Sequence, residues 1–368
     1  MSVNWGIVGT GNIANAFAVA LKVAKKAKLV AVGSRSKQSA VKFGSAYGVP
    51  EDRCYPSYDE LFNDPEVHAV YICTPHPYHC ELAVKGAKAG KHLLVEKPMA
   101  MNEKEVMQVI NAAKEHNIFF MEAYMYRCHP QTRKLCEVIS QGIIGKVKII
   151  RASFSYNGHS FGPESRVWSN ELGGGALLDI GGCKYLNLFY LRKKVNFLTH
   201  PPFPLKDPMS LARLVAGADN GSSFLNPDNI QATGKLTPTN VDEWTIATLD
   251  FADKNIGAQL FTGIFADSDC TAEIIGTEGT LRIANPWRPD IPEMGDPSII
   301  LLKPGKSPST IEYDLLEPNI FAIEADTASE AILAGKRECP FMTWDDSIGQ
   351  VKALDAWRHQ IGLKYRSD

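Results

Sequence analysis

The chain opens on an apolar strand that ends in glycines and turns at once into a helix: VNWGIVGTGNIANAFAVALKVA. The helical part carries apolar residues at Ile13, Phe17, Ala20 and Leu21, one face of a helical period. Gly9, Gly11 and Ala14 form a G-x-G-x-x-A pattern. The first glycine allows the tight turn, the second lets the backbone approach a pyrophosphate, and the small third residue lets helix and strand pack closely. Asn12 and Ile13 start the helix, whose first N–H groups have no partner within it and so suit an anion. A glycine turn without a ligand is the competing reading. The strand before and the helix after weigh against it.

The pattern that follows repeats strand and helix. KLVAVGSRS, Lys28 to Ser36, reads as the second strand, Ala69 to Cys73 as a later one, and His92 to Val95 as another, with a helix of one apolar face between the last two. Such repetition implies a parallel sheet with right-handed crossovers, and ligands beyond the carboxyl ends of its strands. At the end of the second strand stand Ser34, Arg35, Ser36 and Lys37, with no acidic residue to meet a free ribose 2′-hydroxyl. This favours NADP over NAD; a solvated basic turn is the alternative. Thr74, Pro75, His76 and His79 lie at one further strand end, and Glu96, Lys97 and Pro98 at another. A lysine carried just past a buried strand is partly desolvated. Desolvation and any neighbouring cation lower its pKa toward the range of a general acid or base. An isolated Glu-Lys pair is more often a surface pair, but here it follows a dinucleotide fingerprint.

After FFMEAYMYRCHP the character changes. IGKVKIIRASFSYN, DEWTIATLDF, IGAQLFTGIF, CTAEIIGTEGTLRIA and SIILLKPG alternate apolar and polar residues as half-buried strands do. Strands in succession point to an antiparallel sheet and a boundary near Ala123, giving domains 1–123 and 124–368. DDSIGQVKALDAWRHQIGLKY is amphipathic at helical spacing and is expected to pack back on the body. A length of 368 residues fits two domains.

Composition narrows the function classes. With 39 basic against 41 acidic residues there is no electrostatic case for nucleic acid or a membrane surface, so a small molecule is the expected ligand. The eight cysteines show neither C-x-x-C nor tight Cys/His spacing, so no metal site is expected and they read as reduced thiols. MSVNWGIVGTG enters a strand directly, and no window holds eighteen uninterrupted apolar residues. A cytoplasmic protein is expected.

GIVGTGNIA, ICTPHPYHCELAVKGAKAGKHLLVEKP, MEAYMYRCHP and ELGGGALLDIG, in this order, resemble the Gfo/Idh/MocA oxidoreductases over essentially the whole chain. GKHLLVEKP is the most specific block. Within the family the chain is similar to the branch of glucose-fructose oxidoreductase, anhydrofructose reductase, xylose dehydrogenase and dimeric dihydrodiol dehydrogenase. The resemblance implies an α/β N-terminal Rossmann domain and an α+β C-terminal domain with a large open, mostly antiparallel sheet, through which members commonly pair as homodimers or larger homo-oligomers. It also implies that Lys97 assists hydride transfer between a nicotinamide and a carbinol or carbonyl carbon, usually of a carbohydrate, with Glu96 and Pro98 shaping the cofactor site. Asp179 corresponds to an aspartate beside the substrate and joins Lys97 as an acid-base candidate.

Two departures stand out. Where the family has a histidine or tyrosine acting with the lysine, this chain has Cys183, a weak hydrogen-bond donor. Cys183 either packs or exchanges a proton, and the extra residue in DIGGCKY brings Lys184 or Tyr185 into consideration. Where members carry Trp-Arg before the aspartate, with roles at the cofactor, this chain has Ser165 and Arg166; Trp168 either supplies the aromatic face from a shifted position or is core. Tyr124, Tyr126, Arg127 and His129 follow the last Rossmann strand and are candidates for the crevice. His159 and Tyr156 lie on a glycine-containing segment that reads as a substrate loop.

Three activities are compatible with these residues. The first is an NAD(P)-dependent sugar oxidoreductase. The second is a glycosidase that keeps its NAD(P) and acts by transient oxidation, elimination, hydration and reduction, with Asp179, Tyr126 or His159 as the added base. The third, a cofactor-binding sensor without turnover, is disfavoured because Lys97 is retained.

Overall fold

Short strands buried on both faces organise the N-terminal part of this computed structural model, which describes residues 1–178, 207–268, 270–315, 317–366 and 368. The six strands are β1 (Val3–Val8), β2 (Ala27–Gly33), β3 (Cys54–Tyr55), β4 (Ala69–Ile72), β5 (His92–Glu96) and β6 (Phe120–Ala123). They pair in parallel in the order β3-β2-β1-β4-β5-β6. All four residues of AVYI in β4 are buried, as helices on both faces of a parallel sheet require. Local chemistry sets the helix ends. Ser36 and Asn102 accept from Ser39 N and Glu105 N at the starts of Lys37–Tyr47 and Glu103–Glu115, and Gly48, at φ +79°, ends the former.

This first unit comprises residues 1–125 together with 321–348, which return from far along the chain. The returning segment is tied in by specific bonds. Trp5 Nε1 donates to Ser329 Oγ (3.0 Å), Lys25 N and Lys26 N donate to the Asp326 carboxylate (2.8 and 2.6 Å), and Trp344 Nε1 donates to Phe120 O (3.1 Å). Trp5 meets Phe17 edge-on, and Phe17 stacks on Tyr71 with ring centroids 3.9 Å apart. An aromatic column thus runs from the returning helix Ile320–Leu333 through the sheet.

The second unit is built on eight strands, β7 (Val147–Ser155), β8 (Asn229–Leu236), β9 (Asp242–Phe251), β10 (Ile256–Gly263), β11 (Ala272–Gly276), β12 (Thr280–Ile283), β13 (Ile299–Leu302) and β14 (Ser309–Ile311). Their order is β14-β13-β12-β11-β7-β10-β9-β8, antiparallel throughout except where β7 pairs with β10. The expected succession of a parallel sheet and a mostly antiparallel one is what the chain forms. The period-two burial of β9 leaves alternate residues outward, Ile246 among them. Helix Asp207–Asp219 packs on β7 and β10 of this sheet, and Trp357 Nε1 donates to Thr245 Oγ1 (2.7 Å) from the final helix. Among the described residues no helix is long and apolar enough to cross a membrane.

Candidate active site

The order of the first sheet reverses between β1 and β4, and the two loops that leave their carboxyl ends meet there. Gly9 adopts φ +117°, and the nearest atoms to a Cβ built on it, those of Cys73, lie at ordinary contact distance. Glycine is therefore required at this position for its backbone conformation. A Cβ on Gly11 would meet nothing within 4 Å, so the backbone here opens onto clear space. Gly11 also caps helix Asn12–Ala20 with no side-chain hydrogen bond, which leaves the first N–H groups, those of Asn12 and Ile13 among them, to a ligand. Asn15 Nδ2 donates to Gly11 O (2.8 Å) and Tyr47 OH to Asn15 Oδ1 (2.7 Å), which braces the turn from the far side. Across the loop, the buried Thr74 Oγ1 has no hydrogen-bond partner among the described residues. A clear cradle, an uncapped helix and a buried orphan hydroxyl suit a dinucleotide.

At the end of β2, Ser34 is buried and Arg35 exposed. Ser36 is occupied as the helix cap, and Lys37 Nζ donates to the carbonyls of Glu51 and Cys54 (2.8 and 2.9 Å). Of this basic run, Arg35 is the cation turned outward. Tyr58, which sequence reasoning passed over, lies beside it: burial raises its phenol pKa and the Arg35 charge opposes that rise.

Lys97 follows β5 directly, is joined to Pro98 by a cis peptide bond, and is 1% exposed. Its backbone N–H donates to Glu96 Oε2 (3.2 Å), while Tyr71 OH donates to Glu96 Oε1. Burial and then the Glu96 charge push the Tyr71 phenol well above its ordinary range, and the same two causes raise the Cys73 thiol. Both therefore stay protonated beside the Glu96 carboxylate. His79 is fully buried, with Nδ1 2.8 Å from Pro98 O and Nε2 2.6 Å from Thr74 O, so its ring joins the Thr74 loop to the Lys97 turn. His76 lies alongside, its ring 5.7 Å from that of His79, and Pro75 connects the loop. Glu122 accepts from Met99 N (3.1 Å) and fixes the chain beyond Pro98. The first unit thus gathers Gly9, Gly11, Thr74, His79, Glu96 and Lys97 at neighbouring strand ends. Tyr124, fully buried, follows β6 in the same unit.

The other candidates belong to the second unit. Arg127 is buried and donates through Nη1 to Ser210 O and Oγ (3.0 and 3.1 Å), so the protein already holds one of its nitrogens. Tyr126 is buried edge-on against Trp287, and His129 accepts from Gln131 N as a helix cap. His159 stacks on Trp168 at 4.8 Å, and Arg166 starts the short helical turn that carries Trp168. Tyr156 is buried against Phe154 and Phe161. Asp179, Cys183, Lys184 and Tyr185 lie outside the described residues.

Comparison with known proteins fixes the family. Residues 3–124 match an oxidoreductase family with an NAD-binding Rossmann fold. Over 371 residues the chain is 32% identical to a trans-1,2-dihydrobenzene-1,2-diol dehydrogenase of Danio rerio, covering 100% of this chain and 99% of that protein. The chain belongs to the Gfo/Idh/MocA oxidoreductase family. A Mus musculus dehydrogenase of the same name is 30% identical, with 100% and 99% covered. Two solved structures share the fold. An aldose-aldose oxidoreductase from Caulobacter crescentus complexed with glycerol superposes with a TM-score of 0.79 at 20% identity, over 98% of this chain and 97% of that one. KijD10, a 3-ketoreductase from Actinomadura kijaniata solved with NADP, gives 0.74 at 24% identity, with 98% of each chain covered. As a member of this family the chain is an NAD(P)-dependent oxidoreductase acting on a small molecule, and no finding supports the glycosidase alternative.

Proposed function

We propose that the chain uses NADP to interconvert a carbinol and a carbonyl at a carbon flanked by a second hydroxyl, as in a sugar or a vicinal diol. The observation that carries this reading is the buried Lys97 at the end of β5, directly after the Glu96 carboxylate, in a unit that also presents the Gly9–Gly11 cradle. Gly9, Gly11, Asn12, Ile13 and Thr74 would hold the dinucleotide's phosphates and nicotinamide end, with Pro75, His76, His79 and Glu96 shaping the loops around them. Ser34 and Arg35 would hold the 2′-phosphate, and Arg166 is proposed to reach the cofactor as well. When bound, the nicotinamide supplies or accepts a hydride. The role left to the protein is the proton. Lys97 gives one to the substrate oxygen during reduction and takes one during oxidation, with Asp179 as its partner. Tyr124, Tyr126, Arg127, His159, Trp168, Cys183 and Lys184 are proposed to line the substrate side, within a division of labour between residues 1–123 for cofactor and 124–368 for substrate. The names of the relatives, a dihydrodiol dehydrogenase and an aldose-aldose oxidoreductase, share this hydroxylated-carbon chemistry. The test is to follow nicotinamide absorbance with NADPH and a panel of aldoses and ketoses, and with NADP⁺ and vicinal diols. Absence of turnover across both panels, in protein that binds NADPH, would refute the reading.

Preference for NADP rests on Arg35. Replacing it with alanine removes a charge-assisted contact to the 2′-phosphate and should reduce the kcat/KM ratio of NADP to NAD by about 10- to 100-fold. An unchanged ratio would show that the phosphate is met elsewhere.

The second sheet is proposed to pair two copies as a homodimer. Its open face carries Ile246 and Phe261 side by side, and Ile246 is 44% exposed. They sit in a concavity edged by Arg151, Gln259, Glu273 and Arg282, which bond to one another. Ile246→Asp should turn a dimer into a monomer in sedimentation velocity; a wild-type chain that is already monomeric at micromolar concentration would dispose of the proposal. A cytoplasmic location is proposed because no two of the described cysteines are joined in a disulfide.

A further inference from the structure

Glu324 lies on the returning helix Ile320–Leu333, and none of its surface is exposed. Neither of its carboxyl oxygens has a hydrogen-bond partner among the described residues. A bare carboxylate in such a place neutralises itself by keeping its proton. The titratable groups whose charges act on it are Glu96 and Lys97 at the end of β5 and Cys339 on its own returning segment, and its own charge acts on Tyr71 of β4. Two buried carboxyl groups whose charges repel do not both ionise readily, and the hydrogen bonds decide which one does. Glu96 receives the Tyr71 hydroxyl and the Lys97 N–H, whereas Glu324 receives nothing. Glu96 is therefore the anion and Glu324 the neutral acid. Burial, and then the Glu96 charge, hold the Glu324 carboxyl well above its usual range. The helix that carries it is fixed by Ser329, which accepts from Trp5, at the far end of the aromatic column that reaches Tyr71.

We propose that Glu324 is a positioning residue for Lys97: neutral beside the Glu96 carboxylate at neutral pH, it ionises before Lys97 gives up its proton, and the second countercharge then delays that release. The proposal rests on Lys97 being the proton carrier. When pH rises far enough for Glu324 to ionise, the second anion tightens the hold on the Lys97 proton. A chain with a permanently neutral side chain at position 324 lacks that response and releases the Lys97 proton earlier.

Glu324→Gln and Glu324→Leu are both permanently neutral and nearly the same size, so one serves if the other fails to fold. Two readouts apply. The first is thermal unfolding of the protein without cofactor across pH. A carboxyl whose folded pKa is raised supports the fold below the ordinary carboxylate range and loses that support as pH rises toward the folded value, because the native state binds the proton that the unfolded state has released. The melting temperature of either variant relative to wild type should therefore climb steadily from pH 5 into the alkaline range. The second is the pH profile of kcat/KM for oxidation, whose rising limb should move about one pH unit lower in the variants. A variant-to-wild-type difference in melting temperature that stays constant with pH would overturn the neutral-acid assignment. Superimposable pH-rate profiles, with the stability difference still growing, would overturn the action on Lys97. Full activity in Lys97→Ala would instead sink the role of Lys97 itself, while the stability readout would continue to report on Glu324. If neither variant folds, infrared spectra of wild type decide: a protonated carboxyl band at neutral pH is expected, and its absence overturns the proposal.

Discussion

Replacing Lys97 with alanine is expected to lower kcat/KM by about 10²–10⁴-fold, the range contributed by one positioned general acid or base. That loss corresponds to about 3–5 kcal/mol of transition-state stabilisation. Cofactor affinity should change little, because the turn proposed to cradle the phosphates, at Gly9 and Gly11, and the helix end at Asn12 are separate from the lysine in sequence. The measurement is a pair: NADPH binding by fluorescence titration, and steady-state rates in both directions. Partial rescue of the alanine variant by small primary amines is expected, since they restore a proton carrier without restoring the tether. A variant within threefold of wild type would remove Lys97 from the chemistry.

Trp5→Ala should have the largest effect on stability. Trp5 has no exposed surface, its indole N–H bonds Ser329, and its ring meets Phe17 edge-on. Truncating a buried tryptophan costs about 3–5 kcal/mol through lost contacts and the cavity that remains. Ser329 also loses the indole partner that its hydroxyl accepts from. The urea midpoint should fall accordingly. Because Phe17 in turn stacks on Tyr71, which bonds Glu96, the surviving folded fraction should also show a lower kcat. A variant as stable as wild type would mean that the returning helix is held without this contact.

What the sequence disclosed follows a physical rule about distance along the chain. Gly9, Gly11 and Lys97 were readable because a turn and a strand end act within a few residues, so spacing alone carries the signal. Tyr71 was not. It sits in AVYI, where both faces of the strand are buried, and a tyrosine there is indistinguishable from core until its hydroxyl is seen to reach Glu96. Glu324 left even less trace, because its neighbours Glu96 and Lys97 lie in a distant part of the sequence. Alternation found β7, β9 and β10, but nothing local marks β7 and β10 as a parallel pair within an otherwise antiparallel sheet. Arg35 stood out from the run Ser34 to Lys37 only once Ser36 and Lys37 were seen to be engaged with backbone.

The return of residues 321–348 to the first unit bears on how the protein is born. A ribosome that has delivered residues 1–125 has supplied all six strands of the parallel sheet, yet Trp5 has no Ser329 to bond, the backbone at Lys25 and Lys26 has no Asp326, and Phe120 has no Trp344. The unit whose sheet is translated first is thus completed close to last, and a nascent chain must carry an unfinished nucleotide-binding sheet through most of its synthesis.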